Sequence, residues 1–166
     1  ALVNACDMYS RTPLHWAAIF NCIEVIDVLL SHLDWIHDTF NDTDSMGFTA
    51  LAYACAKGHM EIIKKLCAIL KQTDTLPNFE NNQNLLFIAC NNNQIEPMRY
   101  LLEDEDFKEV MDIDYCDEND RSLLQVAANV GNAAICKLLM SHNINTSHTD
   151  DFYRNALHYA AKHASE

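Results

Sequence analysis

The sequence predicts an all-α solenoid of stacked helix-turn-helix units joined by β-turn fingers, and three observations carry that prediction. First, the stretch Arg11-Thr12-Pro13-Leu14-His15-Trp16-Ala17-Ala18 returns in degraded form at 48–55, 83–90, 121–128 and 154–161. Measured from Leu14 through Leu51, Leu86, Leu124 and Leu157, the steps are 37, 35, 38 and 33 residues. A period of about 33 residues marks a repeat array. Second, every copy opens on a strong helix-capping residue. Third, all but the last copy end on Asn or Gly. An array buries surface unit by unit, so its function belongs on an exposed face rather than in one deep pocket.

The first helix of each unit starts at Thr12, Thr49, Asn84, Ser122 or Asn155. A side-chain oxygen there accepts an orphan backbone N–H, and Pro13 suits the first helical position, where no donor is required. Leu14, Ala17 and Ala18 follow at i, i+3 and i+4 on one face, and the paired small residues let neighbouring units approach. The helices end at Asn21, Gly58, Asn93, Gly131 and Ala164. Asn and Gly enter the left-handed region most readily, which turns the chain back. The chain has three glycines: Gly58 and Gly131 fall at this cap, and Gly47 falls in the turn before Thr49.

The second helices are amphipathic runs: 24–30, 61–67, 96–102 and 134–140. The first three of these runs open on Glu24, Glu61 and Glu96, which favours the helix macrodipole. Pro97 lies in a first turn and is tolerated there. These helices read as packing elements. The connections Asp34–Thr43, Lys71–Glu80 and Glu103–Asp117 exceed or distort a regular finger. Within the last, Glu103-Asp104-Glu105-Asp106 reads as a solvated acidic run, with contact to a basic partner as the functional alternative.

The 166 residues carry 24 acidic and 11 basic side chains, a formal net charge of -13. Such a surface repels phosphate backbones and excludes nucleic acid as the expected partner. The seven cysteines include no C-x-x-C pair. Cys55 and Cys90 replace the second alanine of the repeated pair, and Cys67 and Cys136 fall on apolar stripes, so they read as small packing residues in a reducing compartment. No run approaches the ~18 apolar residues of a membrane span. No zinc-protease, nucleophile-elbow, phosphate-loop or EF-hand motif occurs. His158 and His163, five apart, share no helix face for metal pairing. Catalytic, cofactor and metal residues are therefore expected to be none.

Through Thr12-Pro13-Leu14-His15-x-Ala17-Ala18 and Glu24-Val25-Ile26-x-Val28-Leu29-Leu30, the chain resembles the ankyrin repeat family over its whole length. The third copy departs most, with Leu85-Leu86-Phe87 where Pro-Leu-His is usual. A tetratricopeptide array would need two longer helices of similar size and lacks these helix starts and Gly turns. The resemblance divides the chain into the tail of a preceding repeat (1–6), repeats at 7–43, 44–78, 79–116 and 117–149, and a partial repeat at 150–166. Ala1, Val3, Asn4, Ala5 and Asp7 match the family's closing segment, so an internal segment of a longer array is expected.

The resemblance further implies that His15 and His158 bond a neighbouring finger backbone, that His59 follows its turn glycine, and that finger turns and first helices line a concave binding face. Family contact positions fall on Met8, Tyr9, Arg11, Ile19 and Phe20 in repeat one, and Ser45, Met46, Phe48, Ala56 and Lys57 in repeat two. They fall on Glu80, Asn81, Gln83, Asn91 and Asn92 in repeat three, and Glu118, Asn119, Arg121, Asn129 and Val130 in repeat four. Asp151, Phe152, Arg154, Lys162 and His163 complete the set. Tyr9, Ile19, Phe20, Met46 and Phe48 gather apolar and aromatic chemistry at one end, Met8 and Arg11 complete the expected partner-binding set, and repeat three is polar. The expected function is a non-catalytic protein-interaction scaffold in the cytoplasm, binding an apolar or basic protein or peptide with no direct membrane contact by this segment. The alternatives are the cytosolic array of a transient receptor potential-like channel, or the recognition arm of a larger enzyme.

Overall fold

The computed structural model describes residues 5–32, 40–72 and 84–164, apart from the side chains of Glu109 and His163. Among them the secondary structure is helical, with one isolated antiparallel bridge between Cys116 and Ser122. The chain forms two compact bodies, residues 1–78 and 79–166. The contact positions Glu80, Asn81 and Gln83, the tail residues Ala1, Val3 and Asn4, and most of the connections 34–43 and 71–80 lie outside the described residues.

In the first body, α1 (Pro13–Phe20) pairs with α2 (Ile23–Leu30), and α3 (Ala50–Lys57) with α4 (Met60–Gln72). First helix packs on first helix, α1 on α3, and second on second, α2 on α4. Two helical layers result. Ala17, Ala18, Ala52, Ala54 and Cys55 are buried at the first-helix contact, and Ile26, Ile62, Ile63 and Leu66 fill the space beneath. Small side chains in one layer and branched ones in the other give close approach without voids. Lys65 on α4 meets Asp27 on α2 at 2.6 Å, an exposed pair that adds little stability.

The second body follows the same plan. Here α5 (Leu85–Asn91), α8 (Leu123–Val130) and α10 (Ala156–His163) form the first-helix row. Helices α6 (Ile95–Glu103) and α9 (Ala133–Ser141) form the second. One element departs from expectation. The connection after α6 folds as α7 (Glu105–Val110), with Asp104 as its cap accepting from the Phe107 amide. The acidic run is thus in part the start of a helix, where negative charge is favoured, and Phe107 and Met111 plug the core beneath it.

The capping residues behave as the sequence predicts, with one variation. Thr49, Asn84, Ser122 and Asn155 accept amides of the following turn. The Thr12 hydroxyl instead lies 2.9 Å from His15 Nδ1. Asn21, Gly58, Asn93 and Gly131 all take positive φ, whereas Ala164 stays right-handed. The fingers repeat with equal fidelity. In each of the four described fingers, an aspartate (Asp7, Asp44, Asp117, Asp150) donates its amide to the carbonyl four residues on. Its carboxylate accepts the amides two and four residues ahead. The residue three after it (Ser10, Gly47, Asp120, Tyr153) is left-handed.

Candidate functional site

Side chains on the first finger and α1 build an exposed column. Asp7 Oδ2 accepts from Arg11 Nε at 2.8 Å and from Trp16 Nε1 at 3.1 Å. The guanidinium so fixed lies over two rings, 4.8 Å from the centroid of Tyr9 and 4.2 Å from that of Trp16. Trp16 in turn stacks on Phe20, with ring centroids 5.4 Å apart and planes 6° from parallel. The order is Tyr9, Arg11, Trp16, Phe20. Tyr9, Trp16 and Phe20 nevertheless remain 50%, 38% and 62% exposed. Partial desolvation opposes ionisation of Asp7, but the Arg11 and Tyr9 amides and the Arg11 guanidinium hold its carboxyl down to about 2. Arg11 therefore remains paired, and the column offers a flat amphipathic face.

The second finger adjoins this column. Its Ser45 amide donates to the Tyr9 carbonyl at 2.9 Å, and Tyr9, Arg11, Asp44, Ser45, Met46 and Tyr53 line a cleft of about 160 Å³. Met46, 74% exposed, stands at its edge. Tyr53 donates to Asp44 at 2.6 Å, and burial together with that carboxylate pushes its phenol up to about 12. Phe48 is only half-buried, but its ring leans on Tyr53 and its carbonyl accepts from His15, so it supports the cleft from beneath. Met8 and Ile19 share the same finger and helix, Met8 exposed and Ile19 half-buried. The structure thus brings Tyr9, Arg11, Phe20 and Met46 together, with Trp16 between Arg11 and Phe20.

A second column stands in the last repeat. Arg154, bonded to Asp150, lies 4.8 Å from the Phe152 ring centroid and 5.0 Å from that of Tyr159. The Arg154 bond holds the Asp150 carboxyl well below the usual range. Stacked arginine chemistry is therefore present in both bodies. In repeat three Asn91 and Asn92 are exposed, as are Glu118, Asn119 and Asn129 in repeat four.

His15 and His59 are structural. His15 Nδ1 accepts the Thr12 amide at 3.1 Å, which leaves the ring proton on Nε2 to donate to the Phe48 carbonyl of the next finger at 2.9 Å. His59 Nδ1 bonds the Ala18 carbonyl of the preceding unit. Cys55, Cys67 and Cys90 are buried, and burial raises the Cys55 and Cys90 thiols. Cys116 differs. Half-exposed in the fourth finger, it lies 3.4 Å from His148 Nε2, with Asp120 beside both. Burial and the carboxylates of Asp120, Asp117 and Asp112 push its thiol up to about 11, the opposite of what a nucleophilic cysteine needs. A groove bounded by Ala128, Cys136, Met140 and Ala160 lies beside α9.

The comparisons agree with this architecture. A family model described as ankyrin repeats, in three copies, matches residues 1–75, 33–112 and 86–166. Inversin of Canis lupus familiaris is 26% identical over 163 residues, 98% of this chain and 14% of inversin. A probable 26S proteasome regulatory subunit, p28 of Saccharomyces cerevisiae, is 26% identical over 134 residues, 80% of this chain and 56% of that protein. The poly-ADP-ribose polymerase tankyrase of Caenorhabditis elegans is 33% identical over 66 residues, 40% of this chain and 3% of tankyrase. The chain spans little more than half of p28 and far less of the other two. Matched end to end by ankyrin models, and built from capped helix pairs and aspartate-closed fingers, the chain belongs to the ankyrin repeat family.

Proposed function

We propose that this chain is a non-catalytic interaction module that docks a partner protein or peptide on its first two fingers and α1. The surface comprises Met8, Tyr9, Arg11, Ile19, Phe20, Met46 and Phe48, joined by Trp16. The observation that carries the reading is the exposed Tyr9-Arg11-Trp16-Phe20 column beside the Met46 cleft. Trp, Tyr and Arg dominate binding hot spots because they offer large rigid area at low entropic cost. Asp7 fixes the column before any partner arrives, which lowers the ordering cost of binding. The net charge of -13 favours a basic segment flanking apolar anchors. Ankyrin repeats serve in general as protein-interaction modules, and one similar protein is named as a regulatory subunit of a larger assembly. Buried thiols at Cys55, Cys67 and Cys90 suit the reducing cytoplasm.

The test is selection of binders from a random peptide library displayed on phage, followed by titration calorimetry of the recovered peptides. Peptides pairing aromatic or aliphatic anchors with Lys or Arg are expected, with Phe20→Ala weakening them at least about tenfold. Val28→Ser, on the exposed side of α2, should leave binding unchanged. Peptides insensitive to Phe20 but sensitive to Val28 would overturn the assignment.

A further inference from the structure

The cluster of Cys116, Asp120 and His148 stands outside the proposed docking surface. Cys116 and Asp120 sit at the base and the left-handed corner of the fourth finger, and His148 leads into the fifth. Cys116 Sγ is 3.4 Å from His148 Nε2, and Nε2 is 3.7 Å from Asp120 Oδ1. All three ligand atoms lie within 4.8 Å of one another. Around a tetrahedral zinc-like ion, with bonds of about 2.3 Å to sulfur and about 2.0 Å to nitrogen or oxygen, ligand atoms stand about 3.3–3.5 Å apart. The first two separations already approach those values.

We propose that Cys116, Asp120 and His148 form a binding site for a single divalent transition-metal ion of the zinc class, clipping the fourth finger to the fifth. One thiolate, one imidazole and one carboxylate form a borderline-soft donor set that suits Zn²⁺ or Co²⁺ and does not suit Mg²⁺ or Ca²⁺. The fourth position falls to solvent or to the Asp120 carbonyl, itself 2.7 Å from Nε2. On binding, Cys116 releases its thiol proton to solvent, and Nε2 exchanges its bond to that carbonyl for the metal while the ring proton moves to Nδ1.

The surrounding contacts hold the ligands in place without the ion. The Asn145 amide donates to Asp114 at 2.8 Å, and Gln125 Nε2 donates to the His148 carbonyl at 3.4 Å. The first bond ties the segment bearing His148 to the end of repeat three, and the second ties it to α8. Asp112 and Asp117 add negative potential around Cys116. The finger so clipped is the one that carries Phe152 and Arg154, so an ion here stiffens the second aromatic-arginine column.

The experiment titrates the reduced, metal-free chain with Co²⁺ under anaerobic conditions. Expected are a thiolate-to-cobalt charge-transfer band and tetrahedral visible bands that saturate at one equivalent and are displaced by Zn²⁺. Cys116→Ser should abolish the charge-transfer band. His148→Ala and Asp120→Asn should each weaken binding on the order of 100-fold, and Cys22→Ser should change nothing. Far-UV circular dichroism checks that each variant stays folded, and Zn²⁺ should raise the melting temperature of the parent and not of Cys116→Ser. No charge-transfer band in the parent, or one that survives in Cys116→Ser, would overturn the site.

Discussion

His15 is the joint between the first two repeats, and its replacement isolates what the joint is worth. The ring is 1% exposed. His15→Ala strands the buried Thr12 amide, which loses its acceptor, and cuts the Phe48 carbonyl's link to α1, leaving that carbonyl the Asp44 amide alone. The unpaired amide costs about 1–3 kcal/mol, and the lost bond to the carbonyl adds about 1 kcal/mol. With the cavity left by the ring, the total is about 3–5 kcal/mol. The chain supplies its own control. At the same register in repeat four, Gln125 accepts the Ser122 amide through Oε1 at 2.6 Å and donates through Nε2 to the Arg154 carbonyl of the next finger. His15→Gln should therefore keep both bonds and cost no more than about 1 kcal/mol. Equilibrium urea unfolding, followed by far-UV circular dichroism and by tryptophan fluorescence, reads both variants. Comparing transition slopes reveals whether neighbouring repeats uncouple. If glutamine proves as costly as alanine, the two-bond explanation fails and ring packing is what the site requires.

Two further predictions concern the fingers. Tyr153 holds φ 58, a left-handed conformation that costs a side-chain-bearing residue about 1–2 kcal/mol. Tyr153→Gly should stabilise the chain by about 0.5–1 kcal/mol after the added unfolded-state entropy of glycine, and Gly47→Ala should destabilise it, both read as shifts in melting temperature. The second concerns acid. Asp7, Asp44, Asp117 and Asp150 all have carboxyls held below the ordinary value of 3.8, Asp7 down to about 2. A depressed folded-state pKa means stability that is fully present above about 3.8 and lost as pH falls toward about 2. The urea midpoint should drop across that window, less steeply in Asp44→Asn, and an unchanged slope would refute the contribution of that finger.

Much of the fold was legible because its determinants are local. A cap at Thr49 or Ser122, small residues one turn later, and Asn21 or Gly58 at the helix end are chosen by the backbone of their own repeat. The finger corners were less legible. Only Gly47 announces a left-handed residue, while Ser10, Asp120 and Tyr153 hold the same conformation through the aspartate hydrogen bonds around them. Helix α7 was missed because Asp104, Glu105 and Asp106 look like a solvated run until Phe107 is seen buried beneath them. The site chemistry depends on long-range register. Tyr9, Arg11 and Phe20 were found by position, but their stacking follows from Asp7 reaching Arg11 and Trp16 together. Cys116 and His148 are 32 residues apart, a spacing no short motif records. Repeat stacking alone brings them within reach.

The most direct test of the docking surface is a binding comparison on the selected peptides. The parent, Phe20→Ala, Met46→Ala and Val28→Ser are titrated against the same peptide, with folding checked by circular dichroism. Phe20→Ala and Met46→Ala should each weaken binding at least about tenfold, with Val28→Ser matching the parent. Equal affinity in all four would contradict the claim that the first two fingers and α1 carry the interaction.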